Sequence, residues 1–592
     1  MEIYCGSVSE SLTGKEVTLS GWCRYIGDHG GKIFVDLADK KGISQVVFDG
    51  SLIEKAKSLG REDVIRITGI VRERDEETVD NTNPTGKLEI LASELNIINK
   101  SETPPFEITE EKERFLAGEE IRLKYRYIDL RRSEMIKNIE FRDSITKTAR
   151  KFFWDNDFLE LETPTLIKDT YETGARPFLV PSRIRKGSFY SLPQSPQIYK
   201  QLIMVSGLDK YFQVARAFRD EDQREDRQPE FTQIDFEVSF KDEKYIKDLV
   251  ESLVKKIFTE VLKEKIKTPF VRIRYDDAVR KYGSDKPDLR YGYEVKDITE
   301  ILQKSGYNII KRELSSGGRA KAICFKADYN KNGKITRDFM LSVVDYAKVN
   351  GLKGLTWLFV EDNHLKSIPE SIAQSLNSVE NEIISSLDAD SGDVIVFAAD
   401  LDEQLIFEVM GRIRKLIGDK IGKFSSKFSF LWVVDFPLFE ADKITKKLKP
   451  AHNPFTAPSE EDIGLLETKP EEVRGRQFDL ILNGNVVGGG AVRINNADLQ
   501  LKIFDMIGIK KKEALDTFGF LIEALRYGAP EDCGFAIGLD RFVTVLAGKQ
   551  SIRDFILFPK TKSFDSPIDG SPTKIDSERL AEDYGLATKN PQ

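Results

Sequence analysis

Two short stretches concentrate side chains suited to holding anions. One runs Phe218-Arg219-Asp220-Glu221 and continues at Arg227-Gln228-Pro229-Glu230-Phe231-Thr232-Gln233; the other is Gly538-Leu539-Asp540-Arg541. The planar guanidinium fork matches paired phosphate or carboxylate oxygens, which the point charge of lysine does not. The chemistry open to these residues is therefore charge neutralisation, and no obvious general base accompanies them. Metal hydrolysis is disfavoured, because His29, His364 and His452 are too far apart in sequence for a helical ligand pair. Cys5, Cys23, Cys324 and Cys533 match neither zinc-ligand spacing nor a disulfide framework. Gly488-Gly489-Gly490 lacks the Lys-Ser/Thr of a phosphate loop and sits in a strand pattern. Such glycines leave room above a sheet for a ligand.

The elements that must position these groups are legible from periodicity. Two strands, Tyr211–Arg219 and Glu230–Phe240, flank the charged loop Asp220–Gln228. In the second, Thr232, Ile234, Phe236, Val238 and Phe240 should face a core, leaving Phe231, Gln233, Asp235 and Glu237 on a polar face. Amphipathic helices are expected around Phe141–Trp154 and Tyr245–Leu262. Further strands are expected at Phe428–Asp435, Phe478–Val487 and Ala491–Ile494, and a strand running into a helix over Phe535–Val545. Before all of these, five apolar-alternating runs, Val17–Cys23, Ile33–Leu37, Gln45–Phe48, Val64–Val71 and Leu88–Leu91, read as a small OB-type β-barrel of the kind that binds single-stranded nucleic acid.

The chain has 592 residues, 40% hydrophobic, enough for several cores, and its 90 basic against 98 acidic residues leave a net charge of −8. A nucleic-acid partner would have to meet a local basic surface. The first ten residues lack an apolar segment and no eighteen-residue apolar run occurs, so a soluble protein of the reducing cytoplasm is expected. The expected fold class is α+β multidomain. The divisions are a barrel over 1–103, a linker over 104–135, catalytic parts over 136–286 and 423–560, an α/β insertion over 287–422, and a poorly ordered tail over 561–592.

Taken in order, the extended segment ending at Pro164, the Arg219–Gln233 stretch and Gly538–Arg541 resemble the three motifs of class II aminoacyl-tRNA synthetases. Gln194-Ser195-Pro196-Gln197-Ile198-Tyr199-Lys200-Gln201, Gly283-Ser284-Asp285-Lys286-Pro287-Asp288-Leu289-Arg290 and Ile552-Arg553-Asp554 narrow this to the bacterial-type aspartyl-tRNA synthetases. The resemblance covers nearly the whole chain and implies an antiparallel catalytic sheet, a homodimer built partly through the Pro164 segment, and ATP with Mg2+. It implies Arg219 on the α-phosphate, Arg541 and Phe231 on either side of adenine, and Asp220, Glu221, Gln228, Val486, Gly538, Leu539 and Asp540 also in the ATP site. It places L-aspartate among Thr173, Gln197, Lys200, Arg219, Gln233, Asp235, His452 and Arg493, with Lys200 and Arg493 holding the side-chain carboxylate. In the barrel, Phe34 and Gln45 correspond to anticodon contacts, while His29 before Gly30-Gly31 resembles members that charge tRNA(Asn) as well as tRNA(Asp). Glu77, at a companion position, resembles neither form.

Departures from the pattern bear on rate and metal dependence. Val486 stands where a magnesium-binding Glu is usual, leaving Asp479 as the main protein ligand. Thr173 replaces a Glu, Asn453 replaces a second His after His452, and Glu531-Asp532 replace a Pro-His. Two other readings stay open: an asparagine-specific synthetase, against which Lys200 weighs, and an inactive RNA-binding paralogue, against which the retained Arg219, Phe231, Arg493 and Arg541 weigh.

Overall fold

The computed structural model describes residues 1–108, 116–170, 175–221, 226–327, 334–442 and 445–587. These divide into two compact units, one comprising Met1–Thr146, Asp222–Pro229 and Gln550–Leu580, the other Lys147–Glu221, Glu230–Lys549 and Ala581–Gln592.

The first unit contains a closed five-stranded barrel. Its strands are Glu16–His29, Lys32–Asp39, Gly42–Phe48, Val64–Glu73 and Leu88–Asn99, and the last lies between the third and fourth in the barrel. Alternation places Val17, Leu19, Val35, Leu37, Val46, Phe48, Ile65 and Ile67 in one apolar core. In the same unit the buried Arg126 guanidinium pairs with Asp129 at 2.6 Å and donates to the carbonyls of Arg553, Ile556 and Leu557. The Ser-, Asp- and Pro-rich stretch after Lys560, expected to be poorly ordered, instead closes turns through its own polar groups. Asp569 accepts from the Ser571 amide and hydroxyl, and Asp576 caps a short helix over Ser577–Arg579.

The second unit is built on an eight-stranded sheet in the order Val271–Arg274, Phe430–Pro437, Arg474–Leu482, Asn485–Val492, Asp532–Gly538, Glu230–Ser239, Lys210–Phe218 and Leu159–Glu160. The six central strands are antiparallel, and only the two edge strands pair in parallel. One face packs on aromatics: Phe153, from the helix Ser133–Asp155, stacks on Phe212 at 4.8 Å and lies 5.0 Å from Phe236. The expected single strand over Phe478–Val487 is a hairpin. Asn483 and Gly484 take positive φ of 50° and 76°, the left-handed pair that a tight hairpin turn requires. Phe240 does not join the core. The strand ends at Ser239, and Phe240 turns out with φ of 59° and 73% exposure.

Between Pro287 and Gly422 this unit carries a second sheet, in the order Lys296–Asp297, Arg319–Phe325, Val394–Asp400, Thr356–Glu361 and His364–Lys366, antiparallel throughout. Its central strand is apolar on both faces. Val394, Val396 and Ala398 meet helices Arg337–Val349 and Glu403–Ile421, while Ile395, Phe397 and Ala399 meet Leu302, Leu376 and Ile383. No helix among the described residues is long and apolar enough to cross a membrane.

Candidate active site

The polar face of the Glu230–Ser239 strand carries a closed set of buried charges. Asp235 and Glu237 are two residues apart and share a face. Lys200, on the helix Gln197–Val205, sends its ammonium to Asp235 Oδ1 and Glu237 Oε2, both at 2.9 Å. Arg493, just beyond the Asn485–Val492 strand, donates from Nε to Glu237 Oε1 at 2.9 Å. All four side chains are almost completely buried, where a charge persists only when paired. Burial works to raise the Glu237 pKa, but Arg493 and Lys200 outweigh it and hold the carboxyl below its usual range. For Asp235 burial prevails over Lys200, and the pKa moves up. A side chain at position 534 would fall on Glu237 Oε2, so Gly534 is the opening in which this carboxylate sits.

His452 lies beside this set and is an exposed residue. Its dense surroundings, followed by the positive charges of Arg493, Arg219 and Lys200, push its pKa down to about 3. Because the residue is exposed, the three cations are the firmer cause, and they keep the imidazole neutral. Gln197 donates to Gln201 Oε1 at 3.2 Å, and Gln233 presents a buried carbonyl oxygen that has no partner among the described residues.

A neighbouring set contains the two arginines. The Arg219 guanidinium lies 5.0 Å over the Phe231 ring, a cation–π contact, and Nε donates to the Gln194 carbonyl at 3.3 Å. Arg541, on the helix Leu539–Leu546, donates to the Val486 carbonyl at 2.9 Å. Asp540 accepts from the Thr232 amide at 2.8 Å, so its carboxylate ties the helix start to the strand. Leu539 is buried and Gly538 caps the helix. The Asp220 amide bonds to the Arg176 carbonyl, while Asp220 itself is exposed and Glu221 half-buried.

The three glycines divide by face. A Cβ on Gly488 would meet the Phe535 ring at 2.5 Å, and one on Gly490 would also strike Phe535, so both are demanded by packing beneath the sheet. A Cβ on Gly489 would meet Asp479 Oδ1 at 2.8 Å and His452 Cε1 at 3.9 Å. Only the middle glycine opens the site face.

Models of two families match this chain. The class II tRNA synthetases (D, K and N) match residues 118–562, and the OB-fold nucleic acid binding domain matches residues 17–98. The aspartate–tRNA(Asp/Asn) ligase of Halothermothrix orenii is 45% identical over 98% of this chain and 97% of its own. The aspartate–tRNA ligase of Staphylococcus carnosus is 42% identical over 98% of each chain. The chain belongs to the aspartate–tRNA ligase family of class II synthetases. At the level of fold alone, it is similar to the asparaginyl-tRNA synthetase of Pyrococcus horikoshii, with a TM-score of 0.57 and 20% identity over 95% of this chain and 98% of that one.

Class II synthetases use ATP as a substrate, and Asp479 is the carboxylate that the sequence reading assigns to its magnesium. Burial raises the Asp479 pKa to about 7, with Asp285 adding to the rise. Val486 supplies no oxygen ligand from its side chain, which packs with Ala278, Leu431, Val433, Phe436 and Ile481. Among the described residues no group of three acidic, His or Cys side chains could cage a metal. One carboxylate is nevertheless compatible with Mg2+, which binds through one or two carboxylates together with substrate phosphates and water.

The remaining expected residues are dispersed. Gln228 belongs to the first unit, where its amide exchanges hydrogen bonds with the Lys560 backbone at 2.8 and 3.0 Å. Thr173 lies outside the described residues. In the barrel, Phe34 lies outside the apolar core on the partly exposed face of its strand, 6.2 Å from the exposed His29 ring. Gln45 is half-buried opposite Asp36, and Glu77 is exposed on the turn Glu76–Thr78. Sequence reasoning placed Glu237 on the correct face but gave it no role. Its signal was the spacing: an acid two residues beyond Asp235 on a face that already required two cations.

Proposed function

We propose that this synthetase activates L-aspartate with ATP to aspartyl adenylate and transfers the aspartyl group to the terminal ribose 3′-hydroxyl of tRNA(Asp). The observation that carries this reading is the buried Lys200–Arg493 pair held by Glu237. Two fixed cations suit a carboxylate side chain, whereas an amide brings them no opposite charge. Asp235, with Gln197 and Gln233, receives the α-ammonium group. The substrate α-carboxylate attacks the α-phosphorus itself, which requires no protein base, and pyrophosphate leaves. Arg219 neutralises the charge that builds on the α-phosphate in the transition state. Phe231 and Arg541 flank the adenine, with Glu221 and the motif around Gly538 adding contacts. Asp479 would hold Mg2+, which would shield phosphate charge when bound.

Residues 1–103 are assigned to anticodon reading through Phe34 and Gln45, and 287–422 to the insertion of the bacterial type. His29 with Gly30-Gly31, together with relatives named for both tRNA(Asp) and tRNA(Asn), supports charging of tRNA(Asn) as well. Exposed Trp154, Leu159 and Leu166 around the Pro164 segment support a homodimer, and the family's role in translation supports a cytoplasmic location. The test is ATP–pyrophosphate exchange without tRNA. Aspartate should sustain exchange at least tenfold better than asparagine, and equal exchange with both would overturn the assignment. Charging of purified tRNA(Asp) and tRNA(Asn) then decides the breadth.

A further inference from the structure

A third carboxyl stands behind the aspartate clamp. Asp532 opens the Asp532–Gly538 strand, opposite Ser239, with Gly534 opposite Glu237. It therefore shares a face with Gly534, the residue over which the Glu237 carboxylate lies. Its side chain is 3% exposed, and Oδ2 is buried with no hydrogen-bond partner among the described residues. The Arg493 amide donates to its backbone carbonyl at 2.9 Å, fixing it beside the clamp arginine.

The charged groups facing it are Glu237 from the adjacent strand, Arg493 from the strand on its other side, and Lys200 from the helix above. Asp235 lies beyond Lys200. Cys533 points to the opposite face, towards Glu243, Lys247 and Arg476. Counting the clamp with Asp532 gives two cations, Lys200 and Arg493, against three carboxyls, Asp235, Glu237 and Asp532. If all three ionise, the pocket is net negative before a second carboxylate enters on the substrate. If Asp532 holds a proton, the pocket is balanced and the substrate side chain meets two cations offset only by their structural partners.

We propose that Asp532 is a specificity-determining positioning residue: as a neutral acid it leaves Arg493 available to the substrate carboxylate, and on ionising it draws Arg493 away and weakens the preference for aspartate over asparagine. Burial, then Glu237, favours the neutral form against the pull of Arg493 and Lys200. A raised carboxyl pKa keeps the proton to higher pH than an ordinary carboxylate does, and the proton is lost as pH rises through the folded value. The argument rests on the proposed aspartate activation.

The test measures pyrophosphate exchange with aspartate and with asparagine at pH 7.0 and 9.5, in the full-length wild type and in Asp532→Asn, whose amide stays neutral at both. In the wild type, the aspartate-over-asparagine ratio of kcat/KM should fall at least fivefold across this range. In Asp532→Asn it should stay within twofold of its pH 7.0 value. The α-ammonium group of asparagine is more acidic than that of aspartate, so each kcat/KM is calculated on the concentration of the α-ammonium form, which removes the substrate's own ionisation from the ratio. A wild-type ratio that does not change with pH, or a variant ratio that falls in parallel with the wild type, overturns the proposal. Absence of aspartate preference at pH 7.0 would instead overturn the assignment of substrate, so the two failures are distinguishable. Should Asp532→Asn fail to fold, aspartate binding to the wild type by calorimetry in buffers of differing ionisation heat gives a second reading. Proton uptake on binding at pH 9.5 in excess of that taken up by the α-amino group of aspartate, absent at pH 7.0, supports the role, and no excess at either pH overturns it.

Discussion

Replacing Lys200 by Met removes one of the two cations proposed to meet the substrate while nearly conserving side-chain volume. The ammonium makes two 2.9 Å contacts, to Asp235 and Glu237, and among the described residues is the only cation that touches both. Its loss therefore has two effects: the substrate carboxylate loses a desolvated partner, and Asp235 loses the charge that restrains its already raised pKa. Removing one member of a buried, hydrogen-bonded charge pair costs about 2–5 kcal/mol. At about 1.4 kcal/mol per factor of ten, the lower and middle part of that range corresponds to a loss of roughly 30- to 300-fold in kcat/KM for aspartate. The Arg219–Phe231 contact and the Arg541–Val486 bond do not involve Lys200, so the KM for ATP should move less than threefold. The assay is aspartate-dependent pyrophosphate exchange with each substrate varied in turn. Asparagine, which gains little from the ammonium, should lose less than aspartate, so the ratio between them should contract. An unchanged aspartate kcat/KM, or an equal loss along the ATP axis, would refute the reasoning.

At the metal, Asp479→Ala should nearly abolish exchange, whereas Val486→Glu should lower the Mg2+ concentration giving half-maximal exchange two- to fivefold; a Mg2+ titration of each variant checks both. The glycine pair separates packing from function: Gly488→Ala places a methyl against Phe535 and should cost about 1–3 kcal/mol of stability, read by denaturant melts. Gly489→Ala should instead raise the half-saturating Mg2+–ATP concentration with a smaller effect on the melt, because its methyl meets Asp479 on the open face. His452, with a pKa of about 3, stays neutral from pH 5.5 to 7.5. The aspartate KM should show no inflection near pH 6.5, and an inflection there that disappears in His452→Gln would contradict the assignment.

The barrel strands were readable because one face of each is core and the other is wet, so alternation marks register as well as extent. The same logic placed Asp235 and Glu237 on a common face. It failed at Phe240, where a single left-handed residue ends the strand and turns an aromatic out, a conformational choice with no periodic signature. It also failed across Phe478–Val487, where the apolar runs on both sides of Asn483-Gly484 hid a turn that the dipeptide itself announces. Arg219 and Arg541 were found through motif order, but their contacts, with a ring and with a backbone carbonyl, are tertiary facts. Least legible was the bridging role of Glu237. Nothing local says that one carboxylate must serve cations drawn from positions 200 and 493, because that requirement exists only after three separated segments converge.

The seat of Glu237 over Gly534 has a consequence for anyone wishing to retune the pocket. Lysine, arginine and the shared carboxylate are held by one another, and the carboxylate keeps its place only because position 534 offers no side chain. A single exchange aimed at an uncharged amino acid strands a buried ion. Charge can leave this site only in neutral parcels, a cation together with its anion. Routes from an acid-selecting to an amide-selecting enzyme therefore pass through paired changes, while position 534 stays a glycine, because a Cβ there would meet the Phe236 carbonyl oxygen at 2.7 Å even without Glu237.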